Sequence, residues 1–328
     1  MHLQDVPTPA LLLEADALEH NLATMAAALP GPRLRPHVKA HKCTALAARQ
    51  AALGHRAFTC ATIREVEGMA AAGLGDDLLL GNEVLDAVRL GRIDARVTVA
   101  VDSPETIAAA VRGGVREVVI DVNVGLPRCG IPPARAGALA ELARSAGLRV
   151  RGVMGYEGHV VGIPGRALRE ERTREAMELL LEAHAQVGGE VVSAGGTGNY
   201  DLNTWANEIQ AGSYALMDTA YARLDLPFRQ ALQLHARVIS VSEDGYAVAD
   251  CGVKAVGMDH GNPEVEGGIV LGMSDEHVTF VPDETVAVGD LVRVLPAHCD
   301  PTMALHERVH VVAGDQVLET WPVDLRGW

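Results

Sequence analysis

The chain is poor in aromatics: Phe, Trp and Tyr supply 3% of its 328 residues. That scarcity argues against the stacking platforms that grip single-stranded nucleic acid. An excess of positive charge is also missing. The formal net charge of −15 works against nonspecific attraction to nucleic acid or to anionic lipid. Hydrophobic residues make up 48%, yet no uninterrupted apolar run reaches the roughly 18 residues a membrane helix needs. Five scattered cysteines (Cys43, Cys60, Cys129, Cys251 and Cys299) form no disulfide framework, which points to a reducing cytoplasm. The start, Met1-His2-Leu3-Gln4-Asp5, lacks the basic and apolar stretches of a signal peptide.

Lysine is the scarcest chemistry-bearing residue. Of 28 basic residues only three are lysine, and two of them share the stretch Arg35-Pro36-His37-Val38-Lys39-Ala40-His41-Lys42. A guanidinium stays protonated and does not condense with an aldehyde, whereas a lysine amine of lowered pKa does. Keeping lysine here, beside His37 and His41, therefore points to Schiff-base chemistry, against the alternative of two ordinary surface lysines.

From residue 34 onward, strand-like and helix-like stretches alternate at intervals of roughly 20 to 30 residues, as βα units do. Strands are expected at residues 34–40, 57–60, 77–80, 97–101, 115–124, 150–156, 191–194 and 208–211. Helices are expected between them, among them 44–53, 63–72, 83–90, 104–111, 133–145 and 167–186. Eight such units are the count for a TIM (β/α)8 barrel. An open doubly wound sheet has the same periodicity. Beyond about residue 225 short strands punctuated by Gly, Pro and Asp replace helical periodicity, which indicates a second, mostly antiparallel β domain. Residues 10–13 are expected to add a strand to it, and Asp16 to cap the helix that follows. The expected division is residues 16–225 for the barrel and 1–15 plus 226–328 for the β domain.

Several residues fall where such a barrel performs chemistry, at the carboxyl ends of its strands. Lys39 ends the first expected strand, and of the two lysines it is the one assigned to the Schiff base, because a strand end holds a group more firmly than a loop. Arg128 follows the fifth strand and Tyr156 the sixth. Two glycine-rich turns, Gly195-Gly196-Thr197-Gly198 and Gly212-Ser213-Tyr214, follow the seventh and eighth, where this fold binds phosphate. Either turn alone is weak evidence. In the β domain, His298-Cys299-Asp300 is read as extended, so that His298 and Asp300 share one side and one divalent ion. Nitrogen and oxygen donors suit Zn, Mn, Co or Mg without choosing among them, and a Cys299 thiolate on zinc is a competing arrangement.

Together these stretches, with Thr8-Pro9-Ala10-Leu11 and Gly155-Tyr156-Glu157-Gly158-His159, resemble the D-threonine aldolase and D-serine dehydratase group of pyridoxal-phosphate enzymes, within the alanine racemase-like fold type. The resemblance implies a barrel plus β-domain homodimer with pyridoxal 5'-phosphate on Lys39. It implies a phosphate on Gly196, Thr197, Gly198, Gly212 and Ser213, with Arg128 and Tyr156 lining the ring and His37 and Tyr214 as further cofactor contacts. It also implies a divalent metal ion on His298 and Asp300, and His159 or a metal-bound water as the proton acceptor. The substrate it implies is a small D-amino acid carrying a β-hydroxyl, cleaved to glycine and an aldehyde. The alternative is a dehydratase giving a 2-oxo acid and ammonia, or an amino-acid racemase. In the dehydratases a cysteine tends to stand two residues after the histidine; here that position is Asp300.

Overall fold

The computed structural model describes residues 1–328. The chain divides into two compact units, one of Met1–Thr24, Ala40–Ala45 and Ser213–Arg326, the other of Met25–Lys39, Leu46–Gly212 and Gly327–Trp328. It opens with β1 (Ala10–Glu14), which leads directly into α1 (Ala15–Ala28). Glu14 and not Asp16 caps that helix: Glu14 Oε2 accepts the Ala17 N–H at 2.7 Å. The expected cap is displaced because Asp16 already lies within the first helical turn.

The second unit is built on α2 (Thr44–Ala52), β2 (Ala57–Cys60), α3 (Ile63–Ala71), β3 (Asp77–Leu80), β4 (Val97–Val101), α4 (Pro104–Arg112), β5 (Glu117–Asp121), α5 (Pro133–Ser145), β6 (Arg149–Met154), α6 (Arg166–Val187), β7 (Val191–Ala194) and β8 (Glu208–Ile209). The seven strands β2 to β8 pair in parallel and in chain order. Residues 34–37 bridge the two edges. Leu34 pairs with Ile209 of β8, and His37 pairs with Thr59 of β2. The Arg35 N–H donates to Ile209 O at 2.9 Å and the Thr59 N–H to Pro36 O at 3.0 Å. The TIM-type barrel is thereby closed, but by single bridges and not by the strand expected at 34–40. Pro36 has no N–H to continue a ladder, and beyond it the chain tightens into a 3₁₀ turn, Val38–Ala40, that carries Lys39.

Strands β3 to β6 are apolar on both faces, as parallel strands covered by helices must be. Leu79, Ala100, Val119, Met154 and Val191 form one buried cluster across these four strands and β7. Charges close the amino-terminal end of the barrel. Arg151 donates to both Asp77 carboxylate oxygens at 2.8 and 2.9 Å and to Thr98 Oγ1 at 2.8 Å. Arg35 binds Glu208 at 2.8 Å and Asp77 at 3.3 Å. Burial alone would raise the Asp77 carboxyl, but the Arg151 hydrogen bonds and the Arg35 charge outweigh it and hold the carboxyl down at about 2.

The helix expected at 83–90 does not form; only a 3₁₀ turn, Leu90–Arg92, lies in that stretch. Its apolar spacing has no core to face, since Leu85 and Val88 are 69% and 45% exposed.

In the other unit, β1 pairs parallel with β15 (Arg308–Ala313) and antiparallel with β9 (Leu232–Val241). The expected N-terminal strand thus joins the β domain. Between β9 and β15 come β10 (Ala247–Ala249), β11 (Glu264–Val265), β12 (Gly268–Met273), β13 (Val278–Pro282), β14 (Leu291–Leu295) and α7 (Cys299–Leu305), and β16 (Gln316–Pro322) follows. Because β10 also pairs with β9, six antiparallel strands, β9 to β14, close into a small barrel. The sequence pattern predicts strands at 232–242, 246–250, 278–280, 291–295 and 309–312, and does not include β11, β12, β16 or helix α7. In β12 the apolar Ile269 and Leu271 point outward and two glycines interrupt the pattern, so the usual inward alternation is missing. No helix is long and apolar enough to cross a membrane.

Candidate active site

In the barrel unit the chemistry-bearing residues follow the carboxyl ends of the staves. Lys39 is half-buried just past the closing segment, and its N–H donates to His37 Nδ1 at 3.4 Å. Arg128, in the loop after β5, lies with its guanidinium carbon 5.4 Å from the centre of the Tyr156 ring, a cation–π contact. Tyr156 in turn borders the turn after β7. A Cβ placed on Gly196 would lie 3.5 Å from the Tyr156 ring and 3.8 Å from its hydroxyl, so glycine keeps that side of the ring clear. Gly195 has φ +81, a conformation that favours glycine. Thr197 is buried. The imidazole of His159 packs on Gly125, at 3.0 Å from where a Cβ would stand, in the loop that carries Arg128.

The turn is fastened from below by a carboxylate that sequence reasoning passed over. Glu157 is fully buried, and its Oε2 accepts the Gly195 N–H at 3.1 Å. Its Oε1 accepts the side-chain amides of Asn199 at 2.7 Å and Asn203 at 2.9 Å. Asn199 Oδ1 then accepts the Gly196 N–H at 2.9 Å. Burial pushes the Glu157 carboxyl up, and these donors work against it. The only sequence signal was an acid inside Tyr156-Glu157-Gly158-His159, directly after Tyr156 and unremarkable on its own. At the end of β5, burial followed by the charge of Glu83 raises the Asp121 carboxyl well above the usual range.

The β unit carries the second cluster. Residues 298–300 are not extended as expected: His298 caps α7, and Asp300 lies in that helix's first turn. The i, i+2 argument therefore fails, because a helix start rotates successive side chains around its axis. The two residues nevertheless meet, with His298 Nε2 at 3.8 Å from Asp300 Oδ1. His298 Nδ1 lies 2.7 Å from Asp259 Oδ2, and the His260 ring stacks on the His298 ring at 3.9 Å. Neither Asp259 nor His260 was flagged in the sequence, where they stand about 40 residues away.

The helix start is pinned by Asp218, which is fully buried and accepts the Cys299 N–H at 3.0 Å and the Tyr221 N–H at 2.9 Å. Cys299 is buried, and burial, reinforced by the Asp300 and Asp218 charges, raises its thiol well above the usual range. Its thiol donates to Asp300 Oδ1 at 3.3 Å. Ser213 Oγ donates to Asp300 Oδ1 at 3.2 Å. Tyr214 is buried against Phe228, with ring centres 5.7 Å apart.

The residues fit the two groups the sequence implies. A half-buried Tyr156 ring beside a glycine turn, with an arginine 5.4 Å from its centre, suits a flat phosphorylated cofactor. An imidazole nitrogen and a carboxylate oxygen 3.8 Å apart, too far for a hydrogen bond, suit one ion with bonds of about 2.0–2.2 Å to each.

Comparison with known proteins bears on both units. Residues 13–220 match the family model of the alanine racemase N-terminal domain, and residues 231–312 match that of a putative serine dehydratase domain. A D-threonine aldolase of Arthrobacter sp. is 32% identical, covering 99% of this chain and 94% of that protein. A 3-hydroxy-D-aspartate aldolase of Paracoccus denitrificans (strain Pd 1222) is 33% identical, covering 100% of this chain and 94% of that protein. The crystal structure of D-threonine aldolase from Filomicrobium marinum superposes with a TM-score of 0.94 at 34% identity, covering 99% of this chain and 97% of that one.

Proposed function

The chain belongs to the alanine racemase-like (fold type III) family of pyridoxal-phosphate enzymes, and from that premise we propose that it is a divalent-metal-dependent aldolase cleaving D-threonine and related D-β-hydroxy-α-amino acids to glycine and an aldehyde. The observation that carries the reading is the pair His298 Nε2 and Asp300 Oδ1, 3.8 Å apart. It provides a nitrogen–oxygen ion site where the dehydratase pattern has a cysteine.

The cofactor, when bound, supplies an electron sink that lets a bond to the amino acid's α carbon break. Lys39 tethers it through its amine. Thr197, Gly198 and Gly212 hold the phosphate through backbone donors and the Thr197 hydroxyl. The N–H groups of Gly195 and Gly196 are spent on Glu157 and Asn199, so they shape the turn. Arg128 and Tyr156 flank the ring, and His37 braces the lysine backbone. An ion on His298 and Asp300 supplies Lewis acidity toward the β-hydroxyl, lowering its pKa. His159, exposed at the barrel rim, accepts the β-hydroxyl proton at an imidazole nitrogen.

The match to a serine dehydratase model favours one second reading, elimination of water from the same substrates. In it the Lys39 amine removes the α proton and the hydroxyl leaves. Product analysis with D-threonine, 3-hydroxy-D-aspartate and D-serine, with and without Mn(II), separates the two. Glycine and an aldehyde support the aldolase; a 2-oxo acid and ammonia would replace it with the dehydratase. A homodimer is proposed with the same reading, and light scattering of the purified protein tests it.

A further inference from the structure

Three ligand-type side chains, Asp259, His260 and His298, place donor atoms within 4.8 Å of one another. Proximity alone would make them a three-ligand metal site. The ring geometry excludes that. His260 and His298 stack with centroids 3.9 Å apart and planes only 4° from parallel. An imidazole lone pair lies in the plane of its ring, so an ion bound by one of two parallel rings stands well off the plane of the other. A bond of about 2.0–2.1 Å from the second nitrogen does not reach it.

Asp259 is set aside by a different observation. Its Oδ2 lies 2.7 Å from His298 Nδ1, the length of a charge-assisted hydrogen bond. Nδ1 therefore carries the proton, and the lone pair is on Nε2, the nitrogen 3.8 Å from Asp300 Oδ1. The segment bearing both residues is also tied to His298 through the backbone. The Gly257 N–H donates to Thr302 Oγ1 at 3.0 Å, and that hydroxyl donates to His298 O at 2.7 Å.

We propose that Asp259 and His260 are positioning residues of the metal centre. Asp259 fixes the His298 tautomer so that Nε2 faces Asp300, and His260 holds the ring by stacking; neither binds the ion. This inference rests on the proposed ion site at His298 and Asp300. Carboxylates behind metal-binding histidines orient the ring in this manner, and their loss typically weakens metal binding 10–100-fold.

The test is Mn(II) affinity of the metal-stripped, cofactor-loaded protein, read from the electron paramagnetic resonance of free Mn(II), with thermal melting to confirm folding. Asp259→Ala is expected to weaken Mn(II) on the order of 10–100-fold. Asp259→Asn, which keeps an acceptor for the Nδ1 proton, recovers most of that loss. His260→Phe, which stacks but has no lone pair, stays within about threefold of the parent. His260→Phe losing as much affinity as His298→Ala would make His260 a ligand and overturn the proposal. An unchanged affinity in Asp259→Ala, with His298→Ala still impaired, would also overturn it while leaving the ion site standing. Unchanged affinity in His298→Ala would remove the ion site itself, and this inference with it.

Discussion

Ser213 Oγ donates a hydrogen bond to Asp300 Oδ1 at 3.2 Å. A hydroxyl has one proton, and in this arrangement Ser213 gives it to the Asp300 carboxylate. The glycine-rich turn after β8, read from sequence as a phosphate site, thus has a second allegiance. Ser213→Ala is expected to weaken Mn(II) binding by about tenfold, with little change in cofactor affinity. A large rise in the dissociation constant for pyridoxal phosphate with unaltered Mn(II) binding would return Ser213 to the phosphate.

The tether is tested by colour. The purified parent protein should absorb visible light from its lysine-bound cofactor, and Lys39→Ala should not. A Lys42→Ala control should remain coloured. Visible absorption persisting in Lys39→Ala would transfer the role to another amine.

Metal and cofactor are assigned to different side chains, which predicts that they can be removed separately. Treatment with EDTA, or His298→Ala or Asp300→Ala, should lower turnover on the order of 100-fold or more while the visible band survives. Bleaching in step with the loss of activity would contradict that division.

Glu157 offers a test in the barrel unit. Replacing it by alanine strands three buried donors, each costing about 1–3 kcal/mol. A loss of roughly 3 kcal/mol or more in unfolding free energy is expected, along with weaker cofactor binding, because the turn at Gly195 loses its clamp. Glu157→Gln keeps the volume and the Oε1 bonds and should fall between. Equilibrium unfolding and cofactor titration measure the two effects.

The barrel floor sets an acid limit. The Asp77 carboxyl is held at about 2, below its ordinary 3.8, so its contribution is complete above pH 4 and lost as pH falls through 2. That contribution is at most about 2 kcal/mol. Asp77→Asn should unfold more readily at pH 7 and show a shallower loss of stability between pH 4 and 2. Equal pH slopes for parent and variant would remove Asp77 from the account.

Much of the barrel was legible because its strands are short, apolar and bounded by glycine or proline. Residues 57–60, 77–80 and 97–101 coincide with β2, β3 and β4, and residues 133–145 with α5. Failures occurred where tertiary context outweighed local pattern. Pro36 broke the ladder of the first stave, and Leu85 and Val88 gave helical spacing to a segment without a core. The short strands β11 and β12 carry too little alternation to read. The histidine and aspartate of residues 298–300 were visible as a motif, but their true geometry was not. It depends on a helix start pinned by Asp218 from 81 positions away and on Asp259 from 39 away, and sequence spacing encodes neither.

The cations that close the barrel's amino end, Arg35, Arg96, Arg149 and Arg151, are all guanidinium groups. Such groups keep their charge beyond about pH 12, whereas ammonium groups in the same places would begin to neutralise near pH 10. Alkali therefore finds no weakness at that end of the molecule. Unfolding in base must start at other groups.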